Sequence, residues 1–370
     1  MKPIKTLAIL LENFELGQPS QQLLDRFKIG FQHDGKWRQP GDRKVIAHVP
    51  EGEWSAELDR RASEFGLLRA PSREAALREA DAVLVVPRGL GMATNEELIE
   101  ETLAQLPEGR PCFVHGVLAN NLVGARRMVD LARRRKIPLV SGSALAAADR
   151  LPPVDIELNA PLKEALVVVQ GSFASGEHAG LGCLLPLIER RAGGETGVNR
   201  VYRYAGSILW NVVRAGSWPR HLLAPALSRS NSPQGDPVKD GRTQDLEGLK
   251  LVKKLAVNPR GWVIHHKDGF RSTILILDGV VEDFNFAVER KDGTVVSAQV
   301  HRPPLPNDDV YSRLAAAIDA FFESDQTPWP TRRAILEAHL MELFLNLSLL
   351  GGSVTDVSAL KPSIAYRPER

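Results

Sequence analysis

The chain is short of everything that would tie it to an oxidising compartment, a membrane or a polyanion. It holds only two cysteines in 370 residues. Cys112 and Cys183 cannot build a disulfide framework or a zinc cage of four thiolates. Both sit in apolar runs, where buried and inert thiols are expected. Charge of one sign is scarce too: 47 Lys and Arg against 45 Asp and Glu leave a net charge of +2, which gives no bulk attraction to nucleic acid or an anionic membrane. Long hydrophobic runs are missing. After Met1-Lys2-Pro3 the apolar stretch Leu7–Leu11 stops at Glu12. An export signal needs about 7–15 apolar residues and a membrane helix about 20. A reduced, cytoplasmic protein with no nucleic-acid and no membrane partner is the expectation. Aromatic residues are few, and none is interleaved with the basic stretches Arg126-Arg127 and Arg133–Lys136. Those stretches read as the solvated face of an amphipathic helix, not as a platform for single-stranded nucleic acid.

What is present is an ordinary globular balance, 43% hydrophobic and 25% charged, on a chain longer than the roughly 250–300 residues at which one core stops growing. Two domains are expected. In the first part, apolar strands at Thr6–Leu11, Lys44–Val49, Asp81–Val86, Pro111–Val114 and Pro138–Ser141 alternate with helices at Pro19–Phe27, Ser55–Phe65, Ser72–Ala80, Asn95–Leu106 and Asn121–Lys136. That alternation predicts a parallel sheet covered on both faces. Ser72 is a predicted N-cap and Gly66 a predicted C-cap. From about residue 155 the pattern changes. Glu164–Gln170 and Arg200–Ala205 are strands, and His178–Arg191 is a helix with Pro186 inside it. Gly261–His266, Arg271–Leu277, Glu282–Glu289 and Thr294–His301 follow, separated by Lys267-Asp268-Gly269, Leu277-Asp278-Gly279 and Lys291-Asp292-Gly293. Asp-Gly between extended runs signals hairpins, so an antiparallel meander is predicted. Phe284, Phe286 and Val288 would face its core, and Asp283, Asn285 and Ala287 a wetter side. Ser228–Gly241 reads as a long loop of the kind that carries function or binds a partner. Helices are predicted at Val310–Glu323 and Thr331–Leu350, and a last strand at Pro362–Arg367.

A nucleotide site on such a parallel sheet needs glycines after the first strand, where the backbone approaches a diphosphate. Here that turn is Glu12-Asn13-Phe14-Glu15-Leu16-Gly17-Gln18-Pro19-Ser20, with one glycine and two carboxylates. Pro19 or Ser20 can still open a helix whose free N–H groups hold an anion. The second strand should end in an acid that holds a ribose hydroxyl pair; it ends His48-Val49-Pro50-Glu51, and Glu51 or Glu53 stands nearest that role. His115 closes the strand after Cys112, at the sheet edge where ligands bind. His178 opens a helix after Ser172–Gly176, and the helix dipole disfavours its cation, as a neutral general base requires. For each histidine the plainer reading is a hydrogen-bonded structural residue. His265-His266 lies in a strand with its rings on opposite faces, and no helix carries two histidines at i, i+4, so no metal site is predicted. Ser141-Gly142-Ser143 lacks a nucleophile-elbow pattern.

The order of motifs Ala62-Ser63-Glu64-Phe65-Gly66, Ser72–Leu77 and Asp81-Ala82-Val83-Leu84-Val85-Val86 resembles the Gfo/Idh/MocA oxidoreductase family. Pro111–Val117, Leu122–Lys136 and Ile137–Ser143 are similar to the next stretch of that family. The resemblance implies a Rossmann-like parallel-sheet domain over 1–148. An α+β domain with an open, mostly antiparallel sheet would span 149–370, its C-terminal helices and strand able to pack back on the first domain. It also implies an NAD or NADP cofactor, a sugar- or polyol-like substrate and a homo-oligomer packed through the open sheet face. The positions left to hold the cofactor are Asn13, Gly17, Ser20, Glu51 and Pro87, and the catalytic candidates are His178 and His115. Relative to the family pattern, the lysine of its Glu-Lys-Pro motif falls on Gly116 and the aspartate of its Asp-x-x-x-His motif on Ala174. Two functions follow: an oxidoreductase with an atypical site, or a binding or scaffold protein that kept the fold and lost the dinucleotide.

Overall fold

The computed structural model describes residues 4–39, 41–88, 95–213, 216–232, 246–303, 309–324, 326–349 and 354–356. The chain divides into two compact units, 1–147 with 303–339, and 148–302 with 340–370.

The first unit is built on β1 (Thr6–Leu11), a small hairpin of β2 (Phe31–His33) and β3 (Lys36–Arg38), then β4 (Lys44–His48), β5 (Leu68–Arg69), β6 (Ala82–Val86), β7 (Cys112–His115) and β8 (Leu139–Gly142). Six of these form one sheet in the order β5-β4-β1-β6-β7-β8, every pair parallel. That is the doubly wound order of a Rossmann fold, and its strand order reverses between β1 and β6. Apart from the exposed edge strand β5, the strands read as apolar runs because helices cover both faces: α1 (Pro19–Lys28), α2 (Ala56–Phe65), α3 (Arg73–Glu79), α4 (Glu96–Gln105) and α5 (Leu122–Arg134). The sequence marks their ends. Pro19 sits at the first helical position of α1, where its missing N–H costs nothing. Ser72, Asn95 and Asn121 each accept a hydrogen bond from the third residue of their helix. Gly66 closes α2 with a left-handed φ of 69°, a conformation glycine adopts without a Cβ clash. The later helix Asp309–Ser324 is tied to this unit by Arg43, which meets Asp319 at 2.6 Å, and by Arg26, whose Nε donates to Ser312. Trp329 donates its indole N–H to the Ser141 carbonyl at 2.7 Å and lies edge-on to Phe113.

The second unit contains β9 (Arg150–Leu151), β10 (Leu162–Val169), β11 (Val198–Ala205), β12 (Val257–His266), β13 (Arg271–Asp278), β14 (Phe284–Arg290), β15 (Val295–Val300) and β16 (Val354–Asp356). They form an eight-stranded sheet in the order β16-β11-β12-β13-β10-β14-β15-β9. All pairs are antiparallel except β10 with β13. The predicted meander is corrected here. Lys267–Gly269 and Lys291–Gly293 turn true hairpins, but Asp278-Gly279 does not, because β10 lies between β13 and β14. Leu166, Val167, Val168 and Val169 are wholly buried, so β10 needs a central position and takes it between strands later in the chain. Gly279 is fixed instead by crowding: a Cβ there would lie 2.7 Å from the Leu255 carbonyl oxygen.

The wetter face predicted for β14 is also corrected. Phe286 and Val288 are buried, and so are Asn285 and Ala287 on the other side. On the Phe286 side runs α6 (Ser175–Ile188), packed so tightly that a Cβ on Gly180 would meet Ile274 at 2.5 Å. On the Ala287 side, Leu209, Trp218, Leu222, Leu223, Ala226 and Val252 form a core with Leu166, Val168, Val263 and Leu275. The sheet face that the resemblance leaves open therefore carries residues of its own chain. Residues 233–241 of the predicted loop and the predicted strand Pro362–Arg367 lie outside the described residues. Cys112 and Cys183 are buried and free; burial pushes the Cys112 thiol up to about 12 and the Cys183 thiol up as well.

Candidate functional site

A cavity of about 450 Å³ opens at the C-terminal ends of β1 and β4, lined by Leu11, Glu12, His48, Pro50 and Glu51 and by the starts of α3 and α4. This is the edge of a doubly wound sheet at which ligands bind. Its charge is one-sided. Glu12, Glu51, Glu74, Glu97 and Glu101 face it with Arg73 as their one guanidinium, and Arg73 already pairs with Glu101. Burial lowers the pKa of His48, which keeps that imidazole neutral and adds no positive charge at neutral pH.

Glu12 stands in the wall of this cavity. It follows β1 directly, and its backbone N–H donates to the Val86 carbonyl at 3.3 Å. Its carboxylate accepts the Arg88 backbone N–H at 2.8 Å and the Asn95 side-chain amide at 3.2 Å. Asn95 in turn caps α4 through its carbonyl oxygen, 3.0 Å from the Leu98 N–H. The protein's own anion thus engages donors at the point where the strand order reverses.

The turn that follows is also self-satisfied. Asn13 donates to the Glu15 carboxylate. The Ser20 hydroxyl accepts the Glu15 N–H at 3.2 Å, and the Gly17 N–H goes to the Gln21 side chain at 2.5 Å. Gly17 has a φ of 78°, so its glycine serves the turn. The structure therefore brings Asn13, Gly17 and Ser20 together in one turn, with buried Pro87 beside it at the end of β6. Glu51 lies in the cavity wall. His115 is buried in the same unit, its ring 5.8 Å from that of Tyr311.

His178 belongs to the second unit. It is buried, and burial pushes its pKa down to about 4. The residue beside it, Glu177, is the centre of that region and was not among the predicted site residues. Its carboxylate accepts Arg260 Nε at 2.6 Å, the Trp262 indole N–H at 3.0 Å and the Ala174 N–H at 2.9 Å. Arg260 also donates to the Gly171 carbonyl at 2.8 Å. Ala174 has a φ of 74°, a strained value for a residue with a Cβ, held by this tie to Glu177. The signal in the sequence was a glutamate three residues into a helix, the reach-back position of a capping box. The pair His265-His266 divides as predicted: His266 is buried between Glu195 and Ser272, and His265 lies against Tyr202.

No protein-family model matches the chain, and no curated protein does. Solved structures do. A myo-inositol 2-dehydrogenase from Lactobacillus plantarum aligns over 96% of this chain and 99% of its own, with 10% identity and a TM-score of 0.60. A myo-inositol dehydrogenase from Lactobacillus casei, crystallised with NAD(H) and myo-inositol, aligns over 98% of this chain and 99% of its own, with 13% identity and a TM-score of 0.57. A biliverdin reductase from Synechocystis, in complex with biliverdin and NADP+, aligns over 92% and 98%, with 11% identity and a TM-score of 0.52. The chain shares the two-part fold of these structures along nearly its whole length. Among the described residues no helix is long and apolar enough to cross a membrane.

Proposed function

We propose that this protein is a divergent Gfo/Idh/MocA relative that binds a small sugar- or polyol-like ligand without using NAD or NADP. The observation that carries this reading is the Glu12 carboxylate on the Arg88 N–H and the Asn95 amide. A dinucleotide's diphosphate would have to settle beside that carboxylate. Two unit charges 4 Å apart repel by about 4 kcal/mol at an effective dielectric of 20, and the diphosphate carries two. The residues present do not fit the group, and no hydride-transfer step is derived through it. Hydroxyl groups fit better: carboxylates accept from them, and Glu51 and Glu97 both face the cavity.

A second reading, an NAD(P)-linked oxidoreductase acting on a sugar or polyol, is favoured by one feature. Glu51 lines the cavity just past β4, where an acid would hold a ribose hydroxyl pair. Titration with NADH and NADPH, followed by fluorescence and thermal melting, separates the two. A ligand at 100 times its Kd adds about 2.7 kcal/mol of stability. The expected result is no shift at millimolar dinucleotide and a shift with a member of a polyol panel. A clear dinucleotide shift, with turnover that His178→Ala lowers, would replace the first reading with the second.

A further inference from the structure

The Leu166–Ala287 face of the second unit's sheet carries, beside the core described above, three side chains whose ligand atoms converge. Glu164 stands on β10 and Glu289 directly opposite it on β14, as cross-strand partners. Like charges in that position repel, and both side chains are nine-tenths buried, at 6% and 10% exposure. His221 reaches them from the turn Arg220–Leu222. Its Nε2 lies 2.8 Å from Glu289 Oε2 and 3.7 Å from Glu164 Oε1, and the three ligand atoms all fall within 4.8 Å of one another.

We propose that Glu164, Glu289 and His221 form a binding site for a divalent transition-metal ion of the zinc class. Three features carry the assignment. First, ligands about 2.0–2.1 Å from such an ion lie about 3.0–3.4 Å from each other, and the two distances to the imidazole bracket that range. Second, each carboxylate is held by a cation on its far oxygen. Arg271 Nε donates to Glu164 Oε2 at 2.9 Å, joined there by its Nη2, and Lys163 Nζ donates to Glu289 Oε1 at 3.0 Å. The near oxygens, Glu164 Oε1 and Glu289 Oε2, are left aimed at one point, as outer contacts orient ligands in metal sites. Third, His221 is half-exposed, which gives an ion an entry path and leaves coordination positions for water or substrate oxygen. The ligands come from three distant segments, so no spacing in the sequence announces them.

The test uses the full chain, free of any tag and treated with chelator. Zinc is then titrated by calorimetry and counted by mass spectrometry, and cobalt(II) is added as a spectroscopic probe. The expected result is one zinc per chain, visible cobalt absorption bands, and a rise in Tm with zinc. His221→Ala should weaken zinc by more than about 100-fold, beyond the effect typical of outer contacts, and abolish the cobalt bands. Glu289→Gln should do the same. His221 is half-exposed on a short turn, so its variant decides the question even where a glutamate variant fails to fold. Absence of zinc uptake, or uptake unchanged in His221→Ala, would overturn the site.

Discussion

Two glutamates, one in each unit, have opposite environments. Glu12 follows the first strand of the parallel sheet, and its carboxylate is held by one backbone N–H and one side-chain amide. Glu177 sits in the first turn of α6, wholly buried, with a guanidinium, an indole and a backbone N–H converging on it. Neutral donors beside solvent make Glu12 removable and tunable. A cation in the interior makes Glu177 a structural requirement. Under the proposed function the first residue would act on what the cavity admits, while the second holds local architecture.

The largest effect should come from Glu177→Ala. It leaves the Trp262 N–H without its acceptor and the Arg260 guanidinium with only the Gly171 carbonyl and the more distant Asp278 carboxylate, and breaking a buried pair from one side costs about 3–5 kcal/mol. Glu177→Gln keeps an acceptor and should lose less. Urea denaturation followed by tryptophan fluorescence reads both. A loss under about 1 kcal/mol for Glu177→Ala would put Glu177 in the same category as Glu12 and dissolve the comparison.

Acid should separate the units next. Burial holds His178 at about 4, against 6.5 in the unfolded chain. Between those values the unfolded state binds a proton that the folded state does not, so stability falls as pH drops through this window, by up to roughly 3 kcal/mol. Glu337 in the first unit runs the other way. Burial raises its carboxyl to about 8 from 4.5, with Arg333 opposing. There the folded state keeps a proton the unfolded state has lost, so this contribution is full at low pH and fades as pH rises towards 8. His178→Gln should flatten the acid limb of a stability-against-pH curve and Glu337→Gln the neutral limb. An unchanged slope between pH 4 and 6.5 in His178→Gln would remove this histidine from the acid response.

The parallel sheet was legible because its information is local. The five predicted strands are apolar runs, and several helices start at a cap such as Ser72 or end at a glycine such as Gly66; the short edge strand β5, Leu68–Arg69, is exposed and carries no such run, so it was missed. The second sheet was legible strand by strand but not in its order. Asp278-Gly279 carries turn chemistry, yet the neighbour of β13 is β10, chosen by burial from more than a hundred residues earlier. The site shows the same limit. Glu12 was readable as a charge in the wrong place for a diphosphate. What it does there depends on Arg88 and Asn95, 76 and 83 residues away, and pairing at that range leaves no periodicity to read.

The smallest change in stability, and the sharpest in function, should come from Glu12→Ala. The side chain is partly exposed and its donors are neutral, so its loss should cost about 1 kcal/mol. The Arg88 N–H and the Asn95 amide would then face the cavity with one negative charge fewer beside them. Inorganic pyrophosphate is the direct probe, because it carries the anionic part of a dinucleotide without the rest. The native chain should show no thermal shift with it. Glu12→Ala should bind it at least about tenfold more tightly, a difference of about 1.4 kcal/mol, and more weakly as salt rises, since the site is open to solvent. Equal affinity in both proteins would mean that Glu12 is not what keeps the anion out. The exclusion would then rest on the packed turn from Asn13 to Ser20, where Asn13 and Ser20 both engage Glu15 and the Gly17 N–H is held by Gln21.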